Sequence, residues 1–295
     1  YKNDYSGQIS LNHKFNSNFD VVLRTNMALS NLFRNEKFPY SMTTYGREKA
    51  QGDYKEQYDY KFKNYSDLML NYNKTFNNFD VKATVGLNNN TEKYRNSFAT
   101  TNYLIIPGLY NLSNTQSPVQ PTNYNSHFET NSMYGSIDMS YKSFLFLGAT
   151  GRYDTDSRLP KQNNTFFYPS VALATVISDY VRVPELISFL KVRASYANVK
   201  DGLTRSTIGT TPALTGNGNP IGYGDQYFSP YDGPSYLNSA VYSTPFAYNN
   251  QPAGYFTGAL NNPNLQPSST SQTEIGLDFK VLKNRLGFDL TYFIS

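Results

Sequence analysis

Two histidines, no cysteine and one long stretch crowded with tyrosine are the chemistry-bearing residues of this 295-residue sequence. His13 and His127 stand far apart, and spacing brings neither an acid-base partner, so acid-base catalysis has no candidate. Without cysteine there is no thiol nucleophile, disulfide framework or zinc ribbon. Asp154 to Ser157 (DTDS) has the alternating oxygens of a calcium loop but lacks its later glycine and closing glutamate, and it reads as an Asx-rich turn leaving a strand. TGNGNPIGYGD (215–225) is glycine-rich, yet no strand leads into it and no Lys-Ser/Thr pair closes it, which excludes a phosphate loop. No metal, cofactor or enzymatic activity is expected.

The tyrosines are the better functional candidates. Between positions 200 and 271 lie Tyr223, Tyr227, Tyr231, Tyr236, Tyr242, Tyr248 and Tyr255, set among glycine, asparagine and proline. Rings with flanking amides can stack on sugars, grip a peptide or bury the surface of a partner protein; they can also pack the loop on itself. With 26 basic and 22 acidic residues, the net charge of +4 is too small and too scattered for nucleic acid.

Those candidates need a scaffold, and the hydropathy pattern supplies one. The last residues form an apolar comb (Ile275, Leu277, Phe279), a break at 281–285 and a second comb (Leu286, Phe288, Leu290, Tyr292, Ile294), which is a hairpin. The same period of two marks ten strands: 5–14, 19–31, 64–75, 79–90, 128–141, 144–154, 166–178, 189–199, 272–280 and 285–295. One helical turn is expected at Pro184 to Phe189. Connections alternate short and long, with long ones at 32–63, 91–127 and 200–271. In an up-and-down antiparallel sheet this gathers tight turns at one end and loops at the other, as in outer-membrane barrels. A soluble sandwich also alternates, but rarely carries structureless loops of this length.

The pattern assigns faces. Val21, Leu23, Val81, Val85, Leu277, Leu290 and Tyr292 are expected toward lipid. Arg24, Lys82, Arg152, Asp154, Lys191, Arg193, Glu274 and Asp278 are expected to line a lumen. Phe15, Phe19, Phe76, Phe79 and Phe144 fall at the tight-turn ends, where an interfacial girdle would lie.

Three stretches then resemble a known family. GATGRYDTDSRLPKQNNTFFYPSVALATVISD (148–179), FLKVRASYANVKDG (189–202) and NPNLQPSSTSQTEIGLDFKVLKNRLGFDLTYF (262–293) are similar, in order, to barrel strands of SusC/RagA-type TonB-dependent outer-membrane transporters. Ala197 replaces a usual glycine, and Ser268 and Ser269 replace Glu-Thr. The resemblance implies an all-β transmembrane up-and-down barrel of 22 strands, of which residues 1–295 supply about ten strands of a single domain, with the plug and energy-coupling box outside this sequence. It also implies location in a bacterial outer membrane and import of glycans, oligosaccharides or peptides. A SusD-like surface lipoprotein and TonB would be the partners. A barrel serving as a structural subunit of another outer-membrane complex, and a soluble secreted glycan-binding β-domain, remain as alternative readings.

Overall fold

The computed structural model describes residues 1–43, 48–201, 242–243, 247–248, 251–252, 254–256 and 263–295. Ten strands form one antiparallel sheet: β1 (Lys2–Lys14), β2 (Phe19–Phe38), β3 (Asp53–Phe76), β4 (Phe79–Thr100), β5 (Gln120–Tyr141), β6 (Leu145–Asp156), β7 (Thr165–Val176), β8 (Ile187–Asp201), β13 (Ser268–Val281) and β14 (Leu286–Ile294). Spatial order follows the chain, β1-β2-β3-β4-β5-β6-β7-β8-β13-β14, and the sheet is open. Among the described residues between β8 and β13 are four two-residue strands, β9 (Tyr242–Ser243), β10 (Ala247–Tyr248), β11 (Gln251–Pro252) and β12 (Tyr255–Phe256), with β10 paired to β11 and β12 to β9.

Pairing is continuous enough to assign faces. Directly opposed residues share a face, as do residues two apart on one strand. One row runs Leu11, Leu23, Leu68, Leu87, Met133, Tyr153, Phe167 across seven strands. Every member is exposed, from Leu68 at 45% to Leu11 at 62%. So wide an apolar band would be a liability in water and is what hydrocarbon requires.

Tight turns close one end. Asn16 Oδ1 accepts hydrogen bonds from the backbone N–H of Asn18 at 2.8 Å and Phe19 at 3.0 Å. Asn77 turns with φ 51°, and Lys142 and Ser143 turn with φ 46° and 60°. Rings on the apolar face flank these turns and the one at Leu282 to Asn284, where φ is again positive: Phe19 meets Tyr72 at 4.6 Å, Phe79 meets Tyr141 at 4.6 Å, and Phe279 stacks on Phe288 at 4.9 Å.

Two expectations are corrected. β2, β3, β4 and β5 run further than the apolar combs, so the loops at that end are 39–52 and 101–119, not 32–63 and 91–127. The added lengths stand beyond the apolar band, where a strand needs hydrogen-bond partners but no greasy face. The helical turn lies at Ile177–Asp179, and Pro184 instead accepts from Ile187 N at 2.8 Å, closing a turn into β8. Pairing with β13 claims Ile187 and Phe189 for the sheet.

At the tip of the extension, Tyr54 is buried and donates its hydroxyl to Glu56 at 2.7 Å. Burial first, and that bond second, push its phenol up to about 12. The neutral phenol is thus favoured by the fold, and its contribution is lost only as pH rises from the ordinary value of about 10 toward 12.

Candidate functional site

The second face of the sheet is polar. A row of paired residues crosses it as Arg24, Asp67, Asn88, Ser132, Asp154 and Phe166. Lys82 on β4 and Arg152 on β6 share this face by even spacing. Ala174 carries it from β7 to Arg193, and Arg193 opposes Gly276 between Glu274 and Asp278. Lys191 opposes Asp278, and Lys82 opposes Asp138. Arg24, Lys82, Arg152, Asp154, Lys191, Arg193, Glu274 and Asp278 therefore all lie on one face, opposite to Val21, Leu23, Val81, Val85, Leu277, Leu290 and Tyr292.

Two polar knots organise this face. In the first, Arg24 donates to Asp67 at 3.1 Å, and Asn88 donates to the same carboxylate at 3.0 Å. Arg152 reaches Asp154 at 2.8 Å and Ser132 at 2.8 Å, and Tyr168 donates to Asp154 at 2.6 Å. Asp67 is 2% exposed and Asp154 6%. Carboxylates so enclosed require these donors. The Tyr134 ring lies over Gly86, where a Cβ would collide with it, and the Arg152 guanidinium sits 5.8 Å from that ring.

The second knot is centred on Arg193. Its fork reaches Asp278 at 3.1 Å, Asp289 at 2.9 Å and Thr291 at 2.7 Å, with Glu274 at 3.6 Å. The side chain lies flat across Gly276. Spacing in Glu274-x-Gly276-Leu277-Asp278 thus has a physical reason: two acids bracket a gap that the arginine of β8 fills. Beside the second knot, toward the tight-turn ends of β4–β7, is an open concavity of about 550 Å³ lined by Asp80, Lys82, Asp138, Phe146, Arg193 and Glu274.

At the loop end, residues 157–164 hold both stems of the 202–267 segment. Asp156 grips Arg158 through both carboxylate oxygens, and Arg158 also meets Asp201 at 3.4 Å, where β8 ends. Gln162 donates to Pro263 O and to Asn264 at 3.2 Å, and Asn163 donates to Leu265 O at 3.1 Å. Spacing along the chain gives no sign of this clamp, because its partners stand from 43 to 102 positions away. Asp67, Tyr134 and Tyr168 were not singled out either; no charged residue had been assigned on β3, β5 or β7, and alternation along their own strands was the available signal.

Of the loop tyrosines, Tyr223, Tyr227, Tyr231 and Tyr236 lie outside the described residues. Tyr242, Tyr248 and Tyr255 lie on β9, β10 and β12.

An apolar belt behind a polar, ion-paired face, with tight turns at one end and loops at the other, defines an outer-membrane β-barrel wall. Within that class, the chain belongs to the TonB-dependent receptor-like β-barrel family, whose pattern matches residues 1–295. It is 26% identical over 234 residues to TonB-dependent receptor P3 of Formosa agariphila, covering 77% of this chain and 20% of that protein. TonB-dependent receptor P39 of the same organism is 26% identical over 282 residues, covering 89% of this chain and 23% of its own length. The chain thus spans about a fifth of these relatives. Its fold matches a structure of the RagAB peptide transporter with TM-score 0.73 at 14% identity, covering 99% of this chain and 30% of that one. A structure of the RagAB peptide importer in the "open-open" state matches with TM-score 0.72, again at 14% identity and with the same coverage.

Proposed function

We propose that this chain forms part of the barrel of a TonB-dependent importer of glycans, oligosaccharides or peptides, of the SusC-like type. In this reading the polar face lines the lumen, a SusD-like surface lipoprotein covers the loop end, and TonB supplies the energy. Tyr223, Tyr227, Tyr231, Tyr236, Tyr242, Tyr248 and Tyr255 are assigned to contact with substrate or lipoprotein. The observation that carries the reading is the mixed charge of the concave wall: Lys82 and Arg193 stand against Asp80, Asp138 and Glu274, with Phe146 and small residues between. Such a lining suits neutral or zwitterionic polar solutes better than polyanions, which would call for a field of one sign.

The test is growth and uptake. Cells lacking the full-length gene are fed purified oligosaccharides or peptide mixtures as sole carbon source, and the gene is then restored. Loss of growth on one class, recovered on restoration, is expected. Unchanged growth and uptake on both classes would refute import. Defective assembly of another surface complex in those same cells would favour the scaffold reading.

A further inference from the structure

Beyond the apolar band, the outward side of β3, β4 and β5 changes character. Row by row it presents Phe62, Lys93 and His127, then Tyr60, Arg95 and Asn125, then Tyr58, Ser97 and Asn123. These share a face with Leu68, Leu87 and Met133 and not with the polar knots. Tyr58 is 53% exposed and Tyr60 36%, and Lys93, Arg95, Asn125 and His127 are all exposed. The reverse side of the same strands is closed, with Tyr94 and Phe98 each at 3%. Lys93, Arg95, Asn125 and His127 line a shallow outward concavity.

Both cations are available to a ligand. The adjacent acid Glu92 points to the other face and is held by Lys63 at 2.7 Å and Lys61 at 3.4 Å. Glu129, which shares the outward face with His127, is engaged by Asn89 at 2.6 Å and Asn131 at 3.0 Å. Lys93 and Arg95 themselves make no ion pair among the described residues.

Height identifies the occupant. Lys93 stands fourteen residues along β4 from the girdle residue Phe79. At the usual rise and tilt, that is roughly 35 Å above the tight-turn interface, or about 10 Å beyond a hydrocarbon band of about 25 Å. In an outer membrane this level holds the phosphorylated and carboxylated sugars of the outer-leaflet glycolipid. Cations for the anions, tyrosine rings for sugar faces and asparagine amides for hydroxyls stand together there. We infer that Tyr58, Tyr60, Lys93, Arg95 and His127 form a docking surface for the headgroup of lipopolysaccharide.

The experiment uses the full-length receptor extracted in mild detergent. Lipopolysaccharide carried through purification, and rebound from added vesicles, is quantified for the wild type, K93A/R95A, Y58S/Y60S and the charge-matched control K283A/R285A at the tight-turn end. K93A/R95A should retain about tenfold less glycolipid, with salt weakening what remains. Y58S/Y60S should lose several-fold, and the control should match wild type. Retained fast migration of unboiled protein on gels shows that each barrel is folded. Equal retention by wild type and K93A/R95A overturns the proposal, as does an equal loss in the control. Displacement by inorganic phosphate with no preference for lipopolysaccharide over phosphatidylcholine vesicles would reduce the site to adventitious anion binding. Dissociation of K93A/R95A from dimer to monomer with glycolipid retention unchanged would assign the surface to a second copy instead.

Discussion

Gly276 and Gly86 leave space that other strands use. A Cβ at Gly276 would collide with the Arg193 guanidinium, and one at Gly86 with the Tyr134 ring. In both cases only side-chain atoms collide, the stem and guanidinium of Arg193 and the outer edge of the Tyr134 ring, so the backbone can stay and the side chain must move away. Gly276→Ala is therefore expected to give an assembled barrel in which Arg193 loses Asp278 and Asp289. Labelling by a guanidinium-directed dicarbonyl, read on the Arg193 peptide by mass spectrometry, should rise in the variant; unchanged labelling would show that the fork survives elsewhere. The Arg24–Asp67 pair makes a different demand, because Asp67 is 2% exposed. Arg24→Met leaves a buried carboxylate with neutral donors only and should cost about 3 kcal/mol in urea titrations of the folded barrel. The double variant Arg24→Met, Asp67→Leu should recover most of that loss; a single-variant cost below about 0.5 kcal/mol would mean that water already screens the pair.

Each membrane strand separates its two environments by one residue, which gives a sharp test of face. Val85 lies on the apolar side, 51% exposed, and Thr84 beside it donates to Asn71 on the polar side at 2.9 Å. Val85→Arg should cost about 2 to 4 kcal/mol and deplete the folded, heat-modifiable band on gels, whereas Thr84→Arg should leave it nearly unchanged. Equal damage from both would contradict a lipid-facing belt. This one-residue contrast is also why the membrane portion was legible in the sequence: hydrocarbon on one side enforces the apolar comb that runs through 19–31 and 79–90. The extensions escaped for the converse reason. DYKEQYDYKFK (53–63) alternates too, but its teeth are Tyr54, Tyr58, Tyr60 and Phe62 against Asp53, Lys55, Gln57 and Asp59. No hydrocarbon surrounds it, so a hydropathy criterion passes over a strand that backbone pairing makes. Arg152, Asp154, Arg193 and Asp278 were legible as one face because parity survives from β5 to β14 up to the irregularity at Lys280/Val281, beyond these residues. Which donor answers which carboxylate was not, since strand order places Asp289 on Arg193 across 96 positions.

At the scale of the molecule, the ten strands share one unsolved problem, which is the edge. Among the described residues β1 pairs only with β2 and β14 only with β13, so each presents a row of backbone donors and acceptors outward. Lipid cannot satisfy those groups, and each one left bare in hydrocarbon costs several kcal/mol. β14 carries Leu286, Phe288, Leu290, Tyr292 and Ile294 on its apolar side, all about half exposed or more, and nothing in it blunts pairing. The sheet therefore depends on further strands at both edges. A polypeptide of residues 1–295 alone, refolded in detergent, should accordingly not give a heat-modifiable monomer. Edge-to-edge oligomers rich in strand are expected, visible as a broad distribution by light scattering beside an unfolded band on gels. Adding the rest of a full-length receptor in the same chain should convert this to one compact, heat-modifiable species. A stable monodisperse monomer from residues 1–295 would show that the ten strands can close on themselves, and the reading of this sheet as one arc of a larger wall would have to be given up.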